Sequence, residues 1–85
     1  MYYIYLLFSL KNGKSYIGFT IKKPEVRLKE HNGGSNKFTK GSRPWKLIYF
    51  ERFTCKKCAQ ERERFLKTGI GGKLKQMLVK HFKGA

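Results

Sequence analysis

A turn signal, Asn12-Gly13, lies between two strand-like segments near the start of the chain and constrains its fold more than any other feature. Residues 2–9 and 15–20 on either side are rich in the aromatic and aliphatic side chains that strands favour. Asn and Gly tolerate the positive φ that tight hairpin turns require. The segment is therefore predicted to form an antiparallel β-hairpin, and it carries two tyrosine motifs, Tyr3-Ile4-Tyr5 and Tyr16-Ile17-Gly18.

Helical patterns and one further strand follow the hairpin. Pro24 suits the first turn of a helix, and glycines at 33–34 are typical of a helix end. The predicted elements are a helix over 24–32, a loop over 33–44 with one helical turn near 37–40, a strand over 45–52, and helices over 55–68 and 73–82 separated by Gly71-Gly72. This order, β-β-α-β-α-α, predicts an α+β fold with a three-stranded antiparallel sheet flanked by helices. A chain of 85 residues is expected to form one domain spanning 1–85.

The charge of the chain is strongly positive. Lys and Arg number 20 against 5 acidic residues, which gives a net charge of +15 and an isoelectric point near 10.2. A folded domain with this excess attracts polyanions, and nucleic acid is the usual partner. No apolar run approaches the roughly 20 residues of a membrane span, and residues 1–8 lack the flanks of a signal peptide. We therefore expect a nucleic-acid partner, no membrane contact and a cytoplasmic location.

The two cysteines, Cys55 and Cys58, supply only half of a tetrahedral zinc site. The two histidines, His31 and His81, do not stand at ligand spacing from them. Both cysteines fall on the apolar stripe of the helix predicted over 55–68. They are therefore predicted to be buried or half-buried structural thiols, with metal or redox chemistry as the less favoured alternative.

The hairpin can bring two tyrosines to one face. Tyr5 and Tyr16 point the same way if the loop between the strands has an even number of residues, because strand side chains alternate. A two-residue loop would pair Leu7 with Gly18 and leave a shallow gap between the two hydroxyls, whereas a four-residue loop would bring the tyrosines closer together. Ordinary sheet aromatics without a chemical role are the alternative for this pair.

The first helix is predicted to present Arg27 and His31 on one face, since they stand four residues apart. Arg grips phosphate oxygens with two parallel hydrogen bonds. His31 can donate to a phosphate or relay a proton near neutral pH. A lone helical Arg is usually solvated, but this pair, directly after a tyrosine hairpin, favours a phosphate site.

Glu63 is the best placed of the five acids to serve a cation-dependent site. With successive helix residues about 100° apart, Glu63 lies on the shoulder of the stripe formed by Ala59 and Leu66, while Glu61 lies on the outer face. A carboxylate in that position is held by packing and can still reach a cleft. Arg62 falls close to the stripe and either extends its charged end to solvent or pairs with Glu63. The same spacing predicts inward-facing side chains in the last helix at Leu74, Met77, Leu78 and Phe82.

Together these segments resemble the GIY-YIG nuclease family, in its small single-domain branch, and the resemblance extends over essentially the whole chain. Tyr3-Ile4-Tyr5 stands for the first motif, with Tyr3 in place of Gly, and Tyr16-Ile17-Gly18 stands for the second. Residues 27–32 resemble the helix motif of the family, and residues 42–45 and 59–63 resemble its small branch. Related domains are the N-terminal nuclease domain of the bacterial excinuclease C subunit and those of phage homing endonucleases.

The resemblance implies an endonuclease that hydrolyses phosphodiester bonds in DNA with one divalent cation, Mg²⁺ or Mn²⁺, in DNA repair or recombination. Carried over by position, the catalytic residues are Tyr5, Tyr16, Arg27, His31 and Glu63, with Glu63 as the metal ligand. On this hypothesis Tyr5 accepts a proton from the attacking water and Arg27 stabilises the transition state. Tyr16 and His31 position the scissile phosphate or the water.

Two other functions fit the same charge. A non-catalytic nucleic-acid-binding module would use the basic side chains for phosphate contact and Phe38, Trp45 and Phe53 for stacking. A ribosome-associated basic protein is the third hypothesis. Nothing in the sequence reports contact with a 2′-hydroxyl, so DNA and RNA both stay open, as does the oligomeric state.

Overall fold

The computed structural model describes residues 1–84, which fold around a three-stranded antiparallel sheet. Its strands are β1 (Tyr2–Ser9), β2 (Ser15–Thr20) and β3 (Trp45–Phe53). The strand order is β2-β1-β3, so the first strand of the chain lies in the centre of the sheet. The predicted α+β fold with its three-stranded antiparallel sheet is confirmed, and β3 is one residue longer than predicted.

Helices cover both faces of this sheet. They are α1 (Pro24–Asn32), α2 (Lys37–Lys40), α3 (Lys56–Leu66) and α4 (Gly69–Gly84). Pro24 occupies the first turn of α1, where its missing N–H costs no hydrogen bond. Leu28 of α1 packs on one face of the sheet, and α3 and α4 pack on the other. The sheet is thus the middle of three layers.

β1 is buried on both faces because it runs through the middle of this arrangement. Ile4 and Leu6 point towards α3 and α4, whereas Tyr5 and Leu7 point towards α1. All four of these residues are at most 1% exposed. A strand buried on both faces has a continuous apolar run instead of an alternating one, as residues 2–8 do. Any side chain that β1 carries is therefore held firmly in place.

Of the two alternative loop lengths, two and four residues, the hairpin has the four-residue loop. In the strand register Tyr5 pairs with Gly18 and Leu7 pairs with Tyr16, so the pairing of Leu7 with Gly18 expected from a two-residue loop is wrong. The two tyrosines lie on the same face, because Tyr16 stands opposite Leu7, two residues along from Tyr5. Their ring centroids are 6.3 Å apart.

Ser9 widens the loop around the Asn12-Gly13 turn. Gly13 has a positive φ of 76°, and its N–H donates to the Ser9 carbonyl at 3.0 Å. The buried Ser9 hydroxyl accepts from the N–H groups of Lys11 and Asn12, both at 3.2 Å. The same hydroxyl donates to the Ser42 carbonyl at 2.6 Å. These bonds satisfy the backbone of a longer loop and fix the register of the strands.

The two cysteines are exposed, so the prediction of buried or half-buried structural thiols is wrong. α3 begins at Lys56, which leaves Cys55 just before the helix. There the Cys55 Sγ accepts a hydrogen bond from the N–H of Cys58 at 3.2 Å and caps the helix. The buried stripe of α3 is formed by Ala59 and Leu66, both fully buried.

The last helix runs through Gly71 and Gly72, so the predicted break at these residues is wrong. α4 begins soon after α3 ends, and Gly71 is buried where the two helices meet. A Cβ at Gly71 would lie 1.8 Å from the carbonyl oxygen of Phe65. Gly71 therefore allows close approach of two helices instead of ending one.

The apolar face of α4 differs from the prediction at one residue. Leu74 and Leu78 pack against the core as predicted, together with Val79. The stripe is centred near Leu78 and Phe82, and Met77 lies beyond its edge because successive residues are about 100° apart. Met77 is 67% exposed, so its predicted inward position is wrong. None of the helices within residues 1–84 is long and apolar enough to cross a membrane.

Replacing Gly71 by Ala should destabilise the fold, because the added methyl group would push α3 and α4 apart. Overpacking of this kind costs about 1–3 kcal/mol of unfolding free energy. The same substitution at Gly72 is the matched control: beyond its chain neighbours and its own helix backbone, no atom of residues 1–84 lies within 4 Å of its Cβ position, and Ala favours a helix over Gly by about 1 kcal/mol. Thermal unfolding followed by circular dichroism should show opposite shifts, and equal shifts would contradict the close approach.

Candidate active site

The face of the sheet that α1 covers holds the two hairpin tyrosines. The Tyr5 ring leans across Gly18 on the neighbouring strand, where a Cβ would lie 2.3 Å from the Tyr5 Cζ and Oη atoms. Glycine at position 18 therefore provides the space that the phenol occupies. Tyr5 is 1% exposed, whereas Tyr16 is half-buried.

Tyr5 begins a buried chain of hydrogen bonds. Its hydroxyl lies 2.9 Å from Nε2 of His31, and Nδ1 of His31 lies 2.7 Å from the Thr39 hydroxyl. The Thr39 hydroxyl donates to the Asn36 carbonyl at 3.4 Å. In the arrangement in which Thr39 gives its one hydrogen to Asn36, Nδ1–H donates to Thr39 and Nε2 accepts the hydrogen of Tyr5. The imidazole is then neutral and carries its hydrogen on Nδ1.

His31 is held in this neutral form by its surroundings. It is fully buried, and burial lowers the pKa of its imidazole below the ordinary value. The positive charge of Arg27 lowers that pKa further, while Glu30 opposes the shift in part. Since both ring nitrogens are already bonded, neither is free to meet a phosphate. Of the two predicted uses of His31, this geometry is compatible with the relay of a proton.

α2 lies behind the imidazole and is fixed by contacts that no sequence motif singled out. Asn36 caps this short helix, since its side chain accepts from the N–H of Phe38 at 2.8 Å. The indole Nε1 of Trp45 donates to the Thr39 carbonyl at 2.8 Å. An Asn directly before a predicted helical turn is an N-cap signal, so Asn36 could have been found. The contact of Thr39 with the imidazole is tertiary and has no local signal.

Arg27 lies one turn before His31 on the same face of α1, as predicted. Burial raises the pKa of the Tyr5 phenol above its ordinary value, and the neighbouring Arg27 guanidinium offsets part of this rise. Arg27 also forms an ion pair with Glu30, which binds Lys22 Nζ at 2.6 Å as well. The Arg27 side chain is 26% exposed. It therefore contacts the buried phenol and reaches solvent at the same time.

Glu63 belongs to α3, which packs on the opposite face of the sheet from α1 and crosses both β1 and β2. Its side chain is 24% exposed, and its carboxylate lies 3.3 Å from Lys67 Nζ. The negative charge of Glu63 adds to the rise in the pKa of Tyr5. Within residues 1–84 no hydrogen bond or ion pair joins this carboxylate to the two tyrosines, Arg27 or His31, and it lines an open surface cleft of about 370 Å³ with Gln60 and Arg64.

Arg62 pairs with Glu51 of β3, so the pairing with Glu63, one of the two alternatives for Arg62, is not the one that forms. Two hydrogen bonds, at 2.9 and 3.0 Å, join the Arg62 guanidinium to the Glu51 carboxylate, which also accepts from the Tyr49 hydroxyl. Burial opposes the charge on Glu51, but Arg62 and Tyr49 outweigh it and hold the pKa of Glu51 below its ordinary value. The pairing leaves the carboxylate of Glu63 without this arginine.

At Glu63 a divalent cation would have a single carboxylate ligand from the protein. Within residues 1–84, no three His, Cys, Asp or Glu side chains stand close enough together to hold a metal ion by themselves. Mg²⁺ suits a sparse set of ligands, since it keeps several waters and binds through one or two carboxylates plus substrate phosphates. Glu63 is partly exposed, and among residues 1–84 its hydrogen-bonding partner is a surface lysine, so it fits that requirement.

Comparisons with known proteins agree with one another. The family model of the GIY-YIG catalytic domain matches residues 1–77. A UPF0213 protein of Clostridium perfringens is 44% identical over 68 residues, which cover 79% of this chain and 71% of that protein. A UPF0213 protein of Staphylococcus saprophyticus is 41% identical over 68 residues, which cover 79% of this chain and 80% of that protein. The structure-specific endonuclease subunit slx1 of Xenopus laevis is 43% identical over 54 residues, which cover 55% of this chain and 19% of that protein. No solved structure gives a significant match.

Protonation of His31 should destabilise the fold. In the unfolded chain an imidazole takes up its proton at a pKa of about 6.5, whereas burial lowers the pKa of His31 in the folded protein. Below about pH 6.5 the unfolded chain binds the extra proton first, so the free energy of unfolding falls as the pH drops. Denaturant titrations at about pH 7.5 and about pH 5.5 should show this loss in the wild type and little of it in His31→Gln.

His81 provides the control, because it lies exposed on α4. The His81→Gln variant changes a solvated imidazole and should keep the pH dependence of the wild type. A wild type equally stable at both pH values, or equal effects of the two substitutions, would contradict a buried neutral imidazole at position 31.

Proposed function

The chain belongs to the GIY-YIG family of catalytic domains, and on this basis we propose that it is a metal-dependent endonuclease that hydrolyses phosphodiester bonds in DNA. One observation carries the proposal: Tyr5, Tyr16, Arg27 and His31 gather on one face of the sheet. Glu63, on α3, is an acidic side chain whose charge acts on Tyr5. The net charge of +15 favours a nucleic acid at this surface.

Arg27 would bind the scissile phosphate. Its guanidinium has five N–H donors, and Nη1 is the donor that Glu30 engages. Glu30 shares its charge between Arg27 and Lys22, so this group of three side chains keeps a net positive charge. A fixed positive group next to the charge that develops on the phosphate stabilises the transition state without reorganisation.

Glu63 would hold the divalent cation, Mg²⁺ or Mn²⁺. When bound, such a cation lowers the pKa of a water and offsets the negative charge of the phosphate. Lys67 contacts Glu63 at 3.3 Å and is 55% exposed. Lys67 can leave at little cost, because exposed ion pairs contribute only about 0–1 kcal/mol.

Tyr16 would meet the attacking water, and Tyr5 would act through its neighbours. Tyr5 is 1% exposed and its hydroxyl is bonded to His31, which supports a positioning role instead of the direct proton transfer expected from the sequence. No group within residues 1–84 forms a hydrogen bond with the Tyr16 hydroxyl, and no buried polar side-chain atom of those residues lacks a partner, so this hydroxyl reaches solvent. Tyr16 can therefore orient the water or the phosphate, while Tyr5 keeps Arg27 and His31 in place.

DNA repair or recombination, in the cytoplasm, is the setting that we propose. The endonuclease activity in this proposal is supported by the 43% identity with a structure-specific endonuclease subunit. The matching segment covers 19% of that protein. The substrates and partners of that larger protein are therefore carried over to this chain only as a proposal.

The Glu63→Ala and Arg27→Ala variants should each lose Mg²⁺-dependent cleavage, by about a hundredfold or more in rate. Both should still bind DNA, because the remaining positive charge holds the phosphate backbone. Branched and nicked DNA incubated in Mg²⁺ and in EDTA would report cleavage, and mobility shifts in EDTA would report binding.

Glu61→Ala is the matched control, since Glu61 is exposed two residues away on the same helix and should be dispensable. If Glu63→Ala and Arg27→Ala cut as fast as the wild type, the assignment of the site is wrong. A wild type that binds DNA but cuts none with any divalent cation would instead be a non-catalytic nucleic-acid-binding module.

The two tyrosines should separate in their effects on rate and stability. Tyr16→Phe should lower kcat by roughly a hundredfold and leave Tm unchanged, because its hydroxyl makes no hydrogen bond to any group of residues 1–84. Tyr5→Phe should lower Tm as well, since it leaves Nε2 of His31 buried without a donor, at a cost of about 1–3 kcal/mol. Single-turnover cleavage and thermal unfolding test this pair, and a Tm loss confined to Tyr16→Phe would reverse the two roles.

A further inference from the structure

Phe38 on α2 is 90% exposed, more than any other large hydrophobic residue in the part of the chain that the structure describes. The phosphodiester chemistry proposed above leaves it without a role, and it adds nothing to the core. A single exposed apolar side chain is ordinary by itself. Phe38 is distinguished by the basic surface around it and by the rigid way in which the chain presents it.

The same helical turn borders an open pocket of about 710 Å³ with a basic lining. Its positive side chains are Lys11, Lys37, Lys40 and Arg43. No acidic residue occurs within residues 31–50, so nothing in this segment neutralises the lining. A concave surface of one sign concentrates ligands of the opposite sign, and phosphate groups are the ligands that Lys and Arg bind best together.

Phe38 is presented on a rigid support. Thr39, the next residue, is 1% exposed and is bonded through its hydroxyl to His31 and through its carbonyl to Trp45. Since successive helix residues point about 100° apart, a Thr39 that faces the interior turns Phe38 to solvent. The Arg43 guanidinium donates to the Lys40 carbonyl at 2.8 Å and closes the far side of the turn. A contact that is already in place loses little freedom when a ligand binds.

We propose that α2 and its basic pocket bind the strand of a branched or splayed DNA, with Phe38 stacked on an unpaired base and Lys37, Lys40 and Arg43 on the phosphates of that strand. The inference rests on the proposed function and names its substrate class: DNA in which a duplex opens into an unpaired strand. Phe38 is one residue from Thr39, whose hydroxyl lies 2.7 Å from the imidazole of the candidate site. The unpaired strand is therefore bound beside the helical turn that supports the imidazole.

An unpaired base, and not a paired one, suits this arrangement. Inside a duplex each base already stacks on its neighbours and offers no face to a side chain, whereas an unpaired base does. Stacking on an aromatic side chain strengthens binding of such a base by roughly tenfold. Because every base has an aromatic face, the preference is for structure and not for sequence. The basic side chains, in contrast, contact phosphates that paired and unpaired strands share.

Binding of two DNAs by the full chain tests the proposal. The protein carries Glu63→Ala so that no DNA is cut, and the probes are a splayed-arm DNA and a fully paired duplex with the same number of nucleotides. Adding Phe38→Ala should weaken binding of the splayed DNA by roughly tenfold and leave binding of the duplex within about twofold. Adding Phe38→Trp should preserve the preference and quench a 2-aminopurine base placed at the first unpaired nucleotide.

Charge variants separate stacking from phosphate contact. The double variant Lys37→Ala, Lys40→Ala should weaken binding of both DNAs to the same extent and reduce the salt dependence of binding. Lys73→Ala with Lys80→Ala removes the same charge from exposed positions on α4 and should weaken binding less. Met77→Ala, at a residue 67% exposed on α4, is the control for loss of an exposed apolar side chain and should leave the preference intact.

The proposal fails if Phe38→Ala weakens binding of both DNAs equally, or weakens binding of neither. It also fails if Phe38→Trp leaves the fluorescence of the 2-aminopurine unquenched. Phe38 supports no core contact, so an unchanged Tm for Phe38→Ala would show that the loss is one of binding. The readout contains no cleavage step. A wild type without nuclease activity would therefore refute the proposed function while the binding preference would still be measured.

Discussion

A neutral imidazole held between a phenol and a threonine hydroxyl is the interaction on which the rest of this structure depends. His31 joins Tyr5 on β1 to Thr39 on α2, so one side chain connects the sheet, the first helix and the following short helix. All three groups are buried, and no buried polar side-chain atom within residues 1–84 lacks a hydrogen-bond partner. A partly satisfied network of this kind would destabilise the fold, whereas a complete one specifies a single arrangement. The geometry of Arg27 and of α2 follows from it.

The parts of the fold that depend on local chemistry could be predicted from the sequence. The hairpin, the sheet and the start of α1 followed from strand propensity, a positive φ at Gly13 and a proline at a helix start. The loop length could not be predicted, because it depends on a bond from Ser9 to Ser42, which lies 33 residues away. Gly71 shows the same limit of prediction. A Gly-Gly pair is typical both of a helix break and of a close contact between helices, and only the position of α3 distinguishes the two.

In the candidate site, too, some features could be predicted from local sequence and others depend on tertiary contacts. Motif and spacing singled out Tyr5, Tyr16, Arg27 and His31, and the structure brings these four together on one face of the sheet. Their relative exposure could not be predicted, because it depends on how far α1 closes over the hairpin. Burial of Tyr5 moves the solvent-facing role to Tyr16. The partner of the imidazole on its other side, Thr39, lies in a segment predicted as a loop with one helical turn and without a role in the site.

The ion pair between Arg62 and Glu51 has a consequence for the acidic side chain next to it. Two hydrogen bonds fix the rotation of α3 about its own axis relative to β3. Adjacent residues on a helix differ in azimuth by about 100°, so anchoring Arg62 also sets the direction in which Glu63 projects. The direction of the Glu63 carboxylate is thus determined by the Arg62–Glu51 ion pair, which lies outside the cleft. A substitution in that ion pair would redirect the carboxylate without altering any residue that lines the cleft.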